Sequence, residues 1–314
     1  MPNQGVDLSQ VDLTGDLTLT VAWRSGTKVK LGRIETGGAV DVEFRALIAE
    51  AIDDIEDRSP EPWAPDADLS AETYLVIARD QLGDAPLLAN EFQGRSLVEV
   101  LGTSQTIPVV HAGDLPAADL VFYALTIDHV GGGRVSFLRR SNPRRGLRKA
   151  PLYAGLRDAL TRIEEPIFAF DGFVDMVFVG DLVAILSSGA FAALFRDQET
   201  LTAQVPKWAD ELHAHVPIAA EGRDRLIELA HARTFLRTRL EAIVVRGHLK
   251  DVSTEDLRKA MKANDLDADA LINQKGELVL EEADVQTVLY FLNEDLFYGS
   301  ITEVGFRADK KAAR

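Results

Sequence analysis

The chain has 314 residues and a formal net charge of −16, with 46% hydrophobic residues and no cysteine. A chain of this size and composition can bury a sizeable hydrophobic core, which excludes disorder throughout, and its length suggests about two domains. The lack of cysteine excludes disulfides, thiolate metal sites, iron–sulfur clusters and a cysteine nucleophile. The acidic average argues against a protein that coats nucleic acid over most of its surface, but it leaves room for a local basic site.

No targeting segment is recognisable. A secretory signal begins with positive charge followed by an apolar stretch, whereas the first basic residue is Arg24. The most apolar stretch, residues 173–186, is interrupted by Asp175 and Asp181, and it is shorter than the roughly 20 residues that cross a bilayer. We therefore expect a soluble, cytoplasmic protein that only a partner could recruit to the inner membrane.

Apolar periodicity predicts strands early in the chain and helices late in it. Alternating apolar and polar residues indicate strands, and apolar residues three and four apart indicate helices. In chain order, the predicted elements are strands 17–23 and 28–34, helix 42–55, strands 74–78, 119–128 and 134–139, helix 152–163, strands 167–171, 174–179 and 182–186, helices 190–195 and 223–246, and two helices that begin after Ser253 and near Val285. The sequence thus predicts an α+β fold, with antiparallel sheet segments in the first 190 residues and a mainly helical C-terminal third.

One segment departs from the acidic trend. The basic segment, defined as residues 134–149, has seven basic residues, no acidic residue and a charge of +7, which leaves −23 for the rest of the chain. Residues 41–84, in contrast, hold 13 acidic and three basic residues. The seven bases are Arg134, Arg139, Arg140, Arg144, Arg145, Arg148 and Lys149. Six are arginines, whose planar guanidinium can donate two hydrogen bonds to one phosphate group.

The basic segment is predicted to bind the phosphate backbone of DNA. Polar, proline and glycine residues at 141–146 favour a loop after a strand. Such a basic element contacts a sugar–phosphate backbone while reading little base sequence. Few aromatic residues lie nearby, so base stacking is not specially indicated. The alternative is internal pairing of these bases with the acidic residues 41–84 or with a second subunit.

Most catalytic signatures are absent. The sequence contains no P-loop, dinucleotide-binding fingerprint, nucleophile elbow or zinc-protease motif. The best enzymatic candidate is a set of three carboxylates on the last predicted strands, Asp171, Asp175 and Asp181, because such a set can hold Mg²⁺ for phosphodiester hydrolysis. Asp181 follows Gly180 as turn chemistry predicts, and no lysine has nuclease-like spacing. We therefore expect no catalytic residue, metal or cofactor.

The strand meander resembles the middle of the KwaB-like domain of the bacterial Kiwa antiviral defence system. The similar run is IFAFDGFVDMVFVGDLVAILSSGAFAALF, with Asp175, Asp181, Phe191 and Phe195 at the corresponding positions. The basic segment and the last helix with the residues after it also fit. The similarity covers about residues 115–311, whereas residues 1–114 match nothing in that family.

The resemblance implies a KwaB-like domain, residues 115–314, and leaves residues 1–114 as an unmatched, acidic N-terminal α+β region. It also implies a DNA-binding antiphage effector that restrains phage DNA replication or expression beside a membrane-embedded partner, KwaA. A homodimer that aligns two basic segments in one groove would reconcile DNA binding with the negative net charge. Two alternatives stay open: an adaptor that docks on a membrane partner without nucleic acid, and a metal-dependent nuclease that uses the three aspartates.

Overall fold

The computed structural model gives the fold in two compact units. It describes residues 5–26, 28–82, 97–102, 107–115, 119–130, 132–141, 152–156, 159–163, 171–196, 198–298 and 305–307, with the backbone alone at 28, 98, 102, 152–156, 159–163, 297–298 and 305–307. The sheet unit comprises Met1–Pro62 and Leu69–Asp197, and the helical unit comprises Trp63–Asp68 and Gln198–Arg314. This division differs from the sequence-based one after residue 114, because strands from both sides of that point pair in one sheet.

The sheet unit contains ten of the described strands. They are β1 (Thr18–Ser25), β2 (Lys28–Ile34), β3 (Ser59–Pro62), β4 (Thr73–Ala78), β5 (Leu120–Asp128), β6 (Arg134–Arg140), β7 (Leu152–Leu156), β8 (Ala159–Ile163), β9 (Met176–Val179) and β10 (Leu182–Ile185). Eight of them form one mixed sheet in the order β2-β1-β5-β6-β9-β10-β4-β3. Its neighbours are antiparallel except the parallel pair β3 and β4. This confirms the predicted α+β class.

Helices cover both faces of the large sheet. The long helix α1 (Gly38–Glu56) buries Phe44 and Ile48 in a core that also contains Val135 and Phe137 of β6. The short helix α2 (Leu97–Gly102) approaches β5 and β6. On the face opposite to α1, Phe195 of α3 (Ser188–Phe195) lies 6.3 Å from Phe178 of β9, measured between ring centroids. Because successive strand residues point to opposite faces, β6 contributes apolar side chains to both layers.

The helical unit holds the remaining described helices around its own core. They are α4 (Gln198–His215), α5 (Ala220–Ala232), α6 (Thr234–Arg246), α7 (Thr254–Ala263), α8 (Ala268–Leu271) and α9 (Glu282–Leu292), with strands β11 (Leu296–Tyr298) and β12 (Gly305–Arg307) at the end. The core side chains include Leu226 of α5, Leu240 of α6 and Val288 of α9. As predicted, Ser253 caps α7, its side chain accepting a hydrogen bond from the Asp256 backbone.

Two helix predictions are wrong. The predicted helix 223–246 is interrupted at Arg233, whose extended backbone (φ −122°, ψ 107°) separates α5 from α6. Both helices bury their apolar side chains in the same core. The apolar spacing therefore continues across Arg233 and gives no sign in the sequence that the helix is interrupted there.

The predicted helix 152–163 is instead the hairpin of β7 and β8. Leu152 pairs with Ile163 and Leu156 pairs with Ala159. These four residues are spaced four, three and four apart, which is helical spacing. In a hairpin, the same spacing pairs the first residue with the last and the second with the third. A short apolar run therefore does not distinguish a helix from a hairpin in sequence.

The predicted turn at Gly180 and Asp181 is confirmed, because it joins antiparallel β9 and β10 and Gly180 has a φ of +53°. Most of the predicted strand before them, residues 167–170, lies outside the described residues. Within the ranges given above, no helix combines the length and the apolarity that a membrane span requires.

Candidate nucleic-acid interface

The structure describes three of the seven bases predicted to contact DNA, and all three lie on β6. Arg134 is the first residue of the strand, and Arg139 and Arg140 are the last two. The other four predicted bases lie outside the described residues, namely Arg144, Arg145, Arg148 and Lys149.

Arg134 is occupied by contacts within the sheet unit. Its Nε lies 3.1 Å from Oδ1 of Asp128, which is its cross-strand neighbour on β5. Its Nη2 donates to the backbone carbonyls of Asp16, at 2.8 Å, and Thr126, at 3.1 Å. Arg134 is thus paired internally, but its partner is Asp128 and not the acidic residues 41–84 that the sequence analysis considered.

Arg139 is held by two aspartates. Its Nε and Nη2 donate to the two carboxylate oxygens of Asp171 at 2.9 and 2.8 Å, and its Nη1 donates to Oδ1 of Asp175 at 2.7 Å. We call Arg139, Asp171, Asp175, Tyr123 and Phe173 the Arg139 cluster. One guanidinium against two carboxylates leaves the cluster with a formal charge of −1.

Burial and hydrogen bonding fix the ionisation of this cluster. Burial raises the pKa of Tyr123, and the nearby negative charge of Asp171 raises it further, so the hydroxyl stays protonated and donates to the Asp171 carbonyl at 2.9 Å. Burial also acts to raise the pKa of Asp171, but the hydrogen bonds and positive charge of Arg139 outweigh it, and the pKa of Asp171 falls below its ordinary 3.8. The carboxylate is therefore ionised at neutral pH.

Asp175 connects three parts of the sheet unit. Asp175 is 2% exposed as a residue, and its Oδ2 accepts the backbone N–H of Arg140 at 2.7 Å. Its carbonyl accepts the backbone N–H of Leu186 at 2.8 Å and of Ser187 at 3.1 Å, and Ser187 caps α3. Asp175 thus fixes the end of β6, where the undescribed part of the basic segment begins.

The three aspartates of the nuclease alternative do not converge. Arg139 lies between Asp171 and Asp175, where a metal ion would have to bind, and Asp181 is exposed in the turn between β9 and β10. Among the described residues, no three acidic or histidine side chains are arranged to hold a metal ion. In this arrangement, one guanidinium lies between the two carboxylates and offsets the charge of one of them.

Two side chains at this end of β6 face solvent. Arg140 is exposed, and Phe173 is exposed although its ring centroid lies 5.2 Å from the guanidinium carbon of Arg139. Sequence reasoning missed both the cluster and Phe173. Part of the signal was present, because Arg139 alternates with Val135 and Phe137 and therefore shares their buried face.

The pKa of Asp171 leads to a testable pH dependence. Because its pKa is lower in the folded state, the ionised carboxylate stabilises the protein above the unfolded-state value of 3.8, and this contribution is lost as the pH falls through the lower folded value. We expect Asp171→Asn to unfold at lower urea concentration than wild type near neutral pH. The difference in unfolding free energy should shrink between about pH 5 and about pH 2. A difference that stays constant over this range would contradict the ion pair.

Comparison with known proteins adds no relative. No protein-family model, curated protein or solved structure matches the chain. The resemblance to the KwaB-like family therefore depends on the sequence alone, and any function assigned to the chain depends on the geometry of β6 and on the charge of the basic segment.

Proposed function

We propose that this protein is a DNA-binding component of a bacterial antiphage system, similar in role to KwaB-like proteins, and that it works in the cytoplasm by binding DNA and not by cleaving it. The supporting observation is charge segregation: residues 134–149 carry +7 in a chain of net charge −16. The resemblance is also the basis for proposing a membrane partner such as KwaA, and the negative net charge is the basis for proposing a homodimer that aligns two basic segments.

The ion pairs of β6 reduce the number of bases proposed to contact phosphates. Arg134 and Arg139 already pair with aspartates, and moving either guanidinium to a phosphate would leave carboxylates without their counter-charge, two of them in the case of Arg139. The proposed contacts are the five other bases, Arg140, Arg144, Arg145, Arg148 and Lys149. Arg140 is exposed, while its backbone N–H is fixed by Asp175.

Phosphate binding by this set has a measurable salt dependence. Five phosphate contacts give a slope of about −4.5 in a plot of log affinity against log salt concentration for duplex DNA. We expect the fourfold variant R140A/R144A/R145A/R148A to bind duplex DNA about 100- to 1,000-fold more weakly near physiological salt, with a slope near −1. Fluorescence anisotropy between about 50 and 200 mM salt measures both quantities.

A matched control removes the same number of positive charges elsewhere. Four exposed lysines of the helical unit serve for this purpose, Lys250, Lys259, Lys262 and Lys275. Their replacement by alanine lowers the net charge equally and should leave most of the affinity and the slope in place. Equal losses in both variants would mean that net charge alone governs binding, and wild-type protein that binds no DNA at low salt would refute the proposal.

A further inference from the structure

Phe173 has a larger exposed fraction than any other aromatic residue whose side chain the structure describes. It is 66% exposed, and the next, Phe235, is 38% exposed. Full burial of a phenylalanine side chain stabilises a protein by about 1.5–3 kcal/mol, and most of this free energy is not gained while the ring is exposed. A ligand with an apolar face would gain it by covering the ring, which follows the proposed DNA-binding segment in sequence.

The ring is held in position before any ligand arrives. The guanidinium carbon of Arg139 lies 5.2 Å from its centroid, and this guanidinium is itself fixed by three hydrogen bonds to Asp171 and Asp175. Cation–π attraction at exposed sites is worth about 0.5–1 kcal/mol. A side chain that is already ordered loses less conformational entropy on binding.

Charge at the cluster favours a base over a phosphate. The Arg139 cluster carries −1, so a phosphate placed against Phe173 would be repelled, whereas a nucleobase is neutral and offers a flat π face. The phosphates would instead lie along Arg140 and the bases that follow it in sequence. Arg139 and Arg140 are consecutive at the end of β6, with Cα atoms about 3.8 Å apart, and they pair with Tyr123 and Phe122 of β5. Their side chains therefore point to opposite faces of the sheet, and a DNA strand that contacts both Phe173 and Arg140 has to pass around the end of β6.

We propose that Phe173 stacks on an unpaired base, and that the protein therefore binds single-stranded DNA more tightly than duplex DNA of the same length. Bases within a duplex have both faces covered by their neighbours and cannot stack on an added ring. This inference rests on the proposed DNA binding and adds the class of DNA that is bound.

The test compares Phe173→Ala with wild type on an oligo(dT) of about 16 nucleotides and on a duplex of equal length. Loss of one base–aromatic stack, worth about 1–3 kcal/mol, weakens single-strand binding about 5- to 150-fold. Duplex affinity and both salt slopes stay unchanged because the ring contacts no phosphate. Val42→Ala is the matched control, since Val42 is 67% exposed on α1, and it should alter neither affinity.

A second variant reports stacking directly. In Phe173→Trp, the added indole fluorescence should be quenched by oligo(dT) and not by the duplex, measured against the signal of wild-type protein. If wild type binds DNA and Phe173→Ala binds both forms as tightly as wild type does, the stacking inference is overturned. The proposed function is unaffected by that result. Equal weakening on both forms assigns Phe173 a structural role and also overturns the stacking inference. Wild type that binds neither form refutes the proposed function.

Discussion

Replacing Asp295 by alanine is expected to destabilise the helical unit by about 3–5 kcal/mol, the usual cost of removing one partner of a buried ion pair. Asp295 is 2% exposed, and its Oδ2 lies 3.0 Å from Nε of Arg239, which is 6% exposed. The substitution leaves the guanidinium buried without this counter-charge. The loss is large because water cannot reach the remaining charge.

The same ion pair belongs to a wider buried network. The Arg239 guanidinium carbon lies 4.0 Å from the centroid of the Tyr290 ring, and Asn293 donates from Nδ2 to Asp295 at 3.0 Å and to Asp66 at 2.8 Å. Arg246 completes it with a 2.5 Å hydrogen bond to Asp66. The network joins α6 and the end of α9 to residues 63–68.

Urea unfolding followed by circular dichroism measures the effect of Asp295→Ala. Glu228→Ala is the control, because Glu228 is exposed on α5 and its loss should change stability by less than about 0.5 kcal/mol. The double variant R239M/D295L replaces the pair with apolar side chains of similar size and should recover most of the stability. If the unfolding free energy of Asp295→Ala lies within about 1 kcal/mol of the wild-type value, water reaches the site.

Asp175→Ala is expected to destabilise the sheet unit by about 3 kcal/mol. Its carboxylate accepts two hydrogen bonds, from Nη1 of Arg139 and from the Arg140 backbone, and a hydrogen bond to a charged group is worth about 1.5–3 kcal/mol. Arg139 keeps its paired hydrogen bonds to Asp171, which limits the loss to the lower part of the summed range. The Arg140 backbone N–H is left without this acceptor.

Asp181→Ala is the control for Asp175→Ala. Asp181 is an exposed turn residue, so its loss should change stability by less than about 0.5 kcal/mol. A metal site built from Asp171, Asp175 and Asp181 predicts instead that the two variants behave alike, because each would abolish divalent-dependent DNA cleavage. Asp175→Ala as stable as wild type would contradict the role given to its carboxylate at the end of β6.

Local patterns in the sequence were enough to predict most elements of the large sheet. The alternation in residues 17–23 and the helical spacing in residues 42–55 correspond to β1 and α1, because each pattern reflects one buried face of one element. The same reasoning failed for residues 152–163 and at Arg233, where a single spacing is compatible with two backbone paths.

The fold class and the segregation of charge could be read from the chain alone, because periodicity is local and net charge is a sum that does not depend on folding. The sequence does not reveal which arginines are free to contact a phosphate, because Arg139 pairs with residues 32 and 36 positions away. Likewise, Phe173 lies against Arg139 only when β6 and β9 are neighbours in the sheet. A charge is neutralised by whatever lies within a few ångströms of it, and strand pairing decides those neighbours.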